Sequence, residues 1–146
     1  SRAALLQHPF SLQTSAGRVV AARVDRPSSR WRRGLGLLAR PPLKPGDGLW
    51  LDPCGSGIHT WLLRAPIDVV FLDAGQTILA VHGDVRPCRL LFAPAGTQST
   101  LELPAGAAAG LQVGEVLRRA DSPLPRRLTR PRSSPSSSQP SSAAAP

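Results

Sequence analysis

The residues with the most chemical reach lie close together in one stretch, Gly57-Ile-His-Thr-Trp-Leu-Leu-Arg-Ala-Pro-Ile-Asp-Val-Val-Phe-Leu-Asp73. His59 could serve as a base and Asp68 as the carboxylate that orients it, with Ser56 or Cys54 as the attacking atom. Arg64 adds a fixed cation, and Glu102 adds a second carboxylate further along the chain. A serine nucleophile needs a positioned elbow, and the neighbours of Gly55-Ser56-Gly57 do not spell the Gly-x-Ser-x-Gly pattern. A hydrolase-like enzyme with a polar cleft at His59 and Asp68 is therefore the alternative reading. A binding cleft holding His59, Arg64, Asp68 and Glu102, with no catalytic residue, asks less of the sequence. Plainer still, Arg64 pairs with Asp68 or Glu102 and fixes the bend at Pro66, while His59 hydrogen-bonds a carbonyl.

Other site chemistries find little support. Zinc needs four ligands, commonly in closely spaced Cys/His pairs. Cys54 and His59 are one such pair and no second follows, so no metal and no cofactor is expected. A phosphate-cradling glycine loop requires a following Lys-Ser/Thr and a helix, and neither is present. Cys54 and Cys88 are either one disulfide or two buried thiols, depending on the compartment.

The elements that must position these residues are strands. Around His59, Ile58, Thr60 and Leu62 alternate with His59, Trp61 and Leu63. Pro66 breaks the run, after which Ile67, Val69 and Phe71 alternate with Asp68, Val70 and Leu72. Apolar residues on both faces indicate a strand covered on both sides. Asp68 is the exception, since a carboxylate there must be paired or hydrogen-bonded. Arg64 and His59 are its nearest candidate partners along the chain. Residues 1–16 read as an irregular arm. Gly17–Val24 reads as a strand. Ser28 or Ser29 caps a helix over about Arg30 to Ala39, with Trp31, Leu35 and Leu38 on its inner face. Leu49–Leu51 is a strand, and Ala74-Gly75 turns the chain into a strand over Gln76–His82. Gly83-Asp84 is another turn. Leu90–Phe92 reads as an edge strand, Ser99–Leu103 as a further strand, and Pro104–Gly110 as a short helical turn. Gly114–Leu117 closes the domain. Short strands joined by Gly/Pro turns predict a mainly β sandwich or barrel.

Ile58-His-Thr-Trp61, then Arg64-Ala-Pro-Ile-Asp-Val-Val-Phe-Leu-Asp73, resembles the bacterial and archaeal family called domain of unknown function 192. A second anchor, Leu101-Glu-Leu-Pro-Ala-Gly106 with Gly110-Leu111 and Gly114, has the matching order and spacing. Arg33-Gly34-Leu35 with Arg40 and the pair Asp47-Gly48 fit the same pattern. The resemblance covers about Val19 to Leu117 and implies a compact, jelly-roll-like β-sandwich. It implies no reaction. Leu62-Leu63 replaces the methionine many members carry after the aromatic position, and Glu115 replaces an aspartate.

One domain over residues 17–121, followed by a tail over 122–146, accounts for the 146 residues. Seventeen of the last twenty-five residues are Ser, Pro or Ala, too few apolar groups to offset chain entropy, so the tail is expected to be disordered. The net charge of +9 is uneven. Residues 18–40 hold seven arginines against Asp25, the tail holds four, and residues 41–121 hold six basic and eight acidic residues. Weak nucleic-acid contact through Arg30, Arg32, Arg33 and the tail is a second alternative, but no aromatic residues interleave a basic β face as single-strand binders require. Trp31 and Trp61 are read as core. No run reaches the roughly 20 apolar residues of a membrane helix. The expectation is a monomeric, non-enzymatic binding or accessory module whose partner is a protein rather than nucleic acid. A cytoplasmic location is favoured, with a periplasmic or secreted one open if a signal peptide has been removed.

Overall fold

The structure is a computed structural model that describes residues 8–26, 42–54, 57–59 and 65–125. Nine strands occur among the described residues: β1 Phe10–Thr14, β2 Val19–Asp25, β3 Asp47–Leu51, β4 Gly57–His59, β5 Ile67–Leu72, β6 Ile78–Val85, β7 Leu90–Phe92, β8 Ser99–Pro104 and β9 Leu117–Ala120. Seven of them form one sheet in the order β6-β5-β8-β3-β2-β1-β9, and β4 and β7 form a separate two-stranded ribbon.

The alternation read along β5 sets the layering. All six of its residues are buried. Val70 and Leu72 join Phe10, Leu12, Val20, Val24, Trp50, Leu101 and Leu103 in the main core. Ile67, Val69 and Phe71 face the other way, packing with Ile58 and Val85 in a second core that Leu51, Cys54 and Leu91 border. Ile58 of β4 and Leu91 of β7 thus lay the ribbon over one face of the sheet. Fully burying an aliphatic or aromatic side chain is worth about 1.5–3 kcal/mol, so a strand apolar on both faces, β5, anchors both layers.

The seven-stranded sheet curls. Its edge strands meet at one end, where Thr77 bridges Val116 in antiparallel register. There the Ile78 N–H donates to the Glu115 carbonyl at 2.8 Å and the Leu117 N–H to the Gln76 carbonyl at 3.0 Å. The main core lies inside the curl. Gly48 lets β3 come close to its neighbours, because a Cβ there would sit 3.3 Å from side-chain carbons of Ala21, Leu101 and Leu103. The result is mainly β, as expected, and takes the form of a half-barrel faced by a short ribbon rather than the jelly-roll-like sandwich that the resemblance implies.

Three expectations are corrected. Residues 10–14 are not an irregular arm: Phe10 and Leu12 enter the main core, and β1 pairs with both β2 and β9. Gly83-Asp84 is not a turn between elements. It lies inside β6, where two residues oppose Asp68 alone between the pairs Ile67↔Val85 and Val69↔His82, a β-bulge. Gly114–Leu117 is not the closing segment: turns cover Val113 and Gly114, and the last described strand runs from Leu117 to Ala120. The Asp73–Gly75 turn forms as expected, with Asp73 Oδ1 accepting from the Gly75 and Thr77 N–H groups, both at 2.9 Å. The expected helix over about 30–39, with Trp31 and the arginines at 30, 32 and 33, lies outside the described residues, and so does the tail beyond residue 125.

Candidate functional site

Asp68 lies in β5 and is 2% exposed. Its donors are backbone groups. Asp68 Oδ1 accepts from the Asp84 N–H at 2.8 Å, and Asp68 Oδ2 accepts from the Ala108 N–H at 2.8 Å. The first bond holds the bulge of β6, where Asp84 adopts a left-handed φ of 52°. The second reaches the turns that follow β8. A carboxylate accepting two backbone N–H groups offsets the cost of its burial without a cationic side chain.

The turns after β8 are gripped from outside as well. Arg18, just before β2, donates through Nη1 to the Ala109 carbonyl at 2.5 Å and through Nη2 to the Ala107 carbonyl at 3.1 Å. Asp68 therefore takes the middle N–H of this segment, and Arg18 takes the carbonyls on either side. Sequence reasoning missed Arg18. Nothing in its neighbourhood distinguishes it from the other arginines, because its partners are main-chain atoms about ninety residues away.

Glu102 is also buried, at 5% exposure, but on the other face. It pairs directly with Val69 of β5 and with Leu49 of β3, and directly opposed residues share a face. His82 lies opposite Val69 in the same row and meets the Phe71 ring edge-on at 5.7 Å. Adjacent residues of a strand point to opposite faces, so Asp68 belongs to the main-core side and Glu102 to the ribbon side. The structure does not bring these two carboxylates into one cleft. His59 ends β4 opposite Leu90, and its side chain lies outside the described atoms. Arg64, Ser56 and Trp61 lie outside the described residues.

Cys54 is half-buried at the edge of the second core and Cys88 is exposed rather than buried, and no disulfide joins them. Among the described residues, no group of three or more His, Cys, Asp or Glu could hold a metal ion. No described helix is long and apolar enough to cross a membrane.

The ribbon has an unusual outer strand. Leu91 points into the second core, while Leu90 and Phe92 on either side are 53% and 76% exposed. The chain keeps them close to β4 through Gly57, opposite Phe92. A Cβ at Gly57 would lie 2.1 Å from the Leu91 carbonyl oxygen.

Comparison with known proteins agrees with this architecture. The family model DUF192, described as an uncharacterized ACR, matches residues 12–118. A solved structure from Sinorhizobium meliloti, described as that of a candidate transcription regulator, is similar at 23% identity and a TM-score of 0.64, covering 77% of this chain and 93% of that one. A protein of unknown function from Novosphingobium aromaticivorans is similar at 20% identity and a TM-score of 0.59, covering 75% and 83%. At these identities the likeness is one of fold alone. No curated protein matches the chain.

Proposed function

The chain belongs to the DUF192 family, and we propose that its domain is a non-enzymatic binding module that holds an extended segment of a partner protein against the β4–β7 ribbon. The observation that carries this reading is the outer face of β7. Two large apolar side chains, Leu90 and Phe92, stand exposed at i and i+2, the spacing at which an extended peptide presents alternate side chains. Among the described residues the ribbon has two strands, so β7 offers an edge to which a further strand could add. Exposed Arg86 and Arg89 precede β7. Two cations beside the strand favour a segment with acidic residues between its apolar ones.

The state of Asp68 supports the non-enzymatic side of this reading. A carboxylate with both oxygens engaged by N–H groups of the fold is poorly placed to orient a catalytic histidine as well. Selection of a random-peptide display library on the full chain tests the proposal. Sequences alternating apolar and acidic residues are expected, with affinity at least about tenfold weaker for Phe92→Ser, on the scale of an aromatic anchor. Failure to enrich any such sequence, or equal binding by Phe92→Ser, would overturn it.

A further inference from the structure

The side chains around Phe10, at one end of the curled sheet, include three buried donors that lack acceptors. The Arg119 guanidinium lies over the Phe10 ring, 3.9 Å from its centre, and Arg26 approaches the same ring at 5.7 Å. Trp50 meets it edge-on, with ring centres 5.9 Å apart. Arg119 Nε, Arg26 Nε and Trp50 Nε1 are all buried without a hydrogen-bond partner, and Trp50 as a whole is 3% exposed. The register explains the gathering. Arg119 of β9 pairs with Leu12 of β1, a main-core residue, so Arg119 shares the face turned into the curl. Phe10 pairs with Val24, also a main-core residue, and Arg26 follows Val24 by two positions.

Two guanidinium groups over one ring repel each other, and the donors of such a cluster should be satisfied. Asp121, the acid that faces Arg119, is exposed and reaches its Nε only at 3.8 Å, beyond hydrogen-bond distance. Burial first, and then Arg26, push the Arg119 pKa down, with Asp121 acting in the opposite sense. We propose that the mouth of the half-barrel, between Arg26, Arg119 and Trp50, is a binding site for the oxyanion group of a small ligand, a carboxylate or a phosphate. Guanidinium groups present planar forks of donors that match either anion, and the indole N–H supplies one more. The site is independent of the ribbon and of any peptide bound there.

Inorganic phosphate and acetate, each titrated into the full chain against sodium chloride at matched ionic strength, test this. The readouts are the Trp50 indole N–H resonance, assigned by its loss in Trp50→Phe, and the melting temperature. A saturable shift of the resonance with a rise in melting temperature is expected for at least one anion. Response to phosphate alone identifies a phosphate group, and response to acetate alone a carboxylate. Arg26→Gln and Arg119→Gln should each weaken the binding by about tenfold, the equivalent of 1.4 kcal/mol. Arg26→Gln keeps the test open should Arg119→Gln, whose stem covers Phe10, fail to fold. No saturable shift with either anion, or a shift that survives in the folded variants, overturns the proposal.

Discussion

Asp84 contributes its backbone to the fold more than its carboxylate. Its N–H fills one oxygen of Asp68, and its φ of 52° lies where glycine is at ease. Asp84→Gly keeps the donor and relieves the backbone, at the cost of a freer unfolded chain, so stability should stay within about 1 kcal/mol of wild type. Asp84→Pro removes the donor and forces φ negative, and should cost more than about 2 kcal/mol. Urea unfolding of the two variants measures the difference. Equal stabilities would show that the bond to Asp68 carries no weight. The same logic explains why Asp68 was only half legible in the sequence. Its burial followed from Ile67, Val69 and Val70 around it. Its partners did not, because backbone N–H groups 16 and 40 residues away leave no side-chain signal, and Arg64 was the nearest cation along the chain.

Among the elements, the ribbon depends on one glycine. A Cβ at Gly57 would meet the Leu91 carbonyl at 2.1 Å, and backbone cannot give way as a flexible side chain can. Gly57→Ala should therefore part β4 from β7. Hydrogen exchange should quicken at the amides of Leu90–Phe92 while β5 and β8 keep their protection. Unchanged exchange at β7 would mean that the ribbon tolerates the extra carbon. β2, β3, β5, β6, β7 and β8 were legible as strands, if not to their last residue, because apolar alternation persists through them. β1 and β9 were not. Phe10-Ser-Leu-Gln-Thr14 is short and half polar, and Leu117-Arg-Arg-Ala120 reads as a charged end. Arg119 enters the curl only by laying its stem and guanidinium on Phe10, a packing that hydropathy does not register. The two halves of the candidate cleft parted for a reason of register. Asp68 lies opposite Leu103, one residue beyond Glu102, and a single step along a strand changes the face.

For the whole molecule, buried backbone bonds hold the sheet in shape, while the proposed peptide contact lies on the exposed face of β7. Asp68 ties the edge strand β6, its neighbour β5 and the turns after β8, the last also held by Arg18. With the contact between β6 and β9 at Thr77 and Val116, these bonds keep the sheet curled around its core. Phe92, by contrast, lies outside both cores. Its replacement should change stability by no more than about 0.5 kcal/mol, as for ordinary surface positions. Asp68→Asn tests the division most directly. Asparagine offers one acceptor oxygen and turns an NH2 group toward the remaining N–H donor. Side-by-side urea unfolding of wild type and Asp68→Asn should then show a loss of about 2–4 kcal/mol, the cost of a charge-assisted bond together with a buried group left unsatisfied. An Asp68→Asn protein as stable as wild type would contradict the account and return Asp68 to the list of residues kept for a ligand.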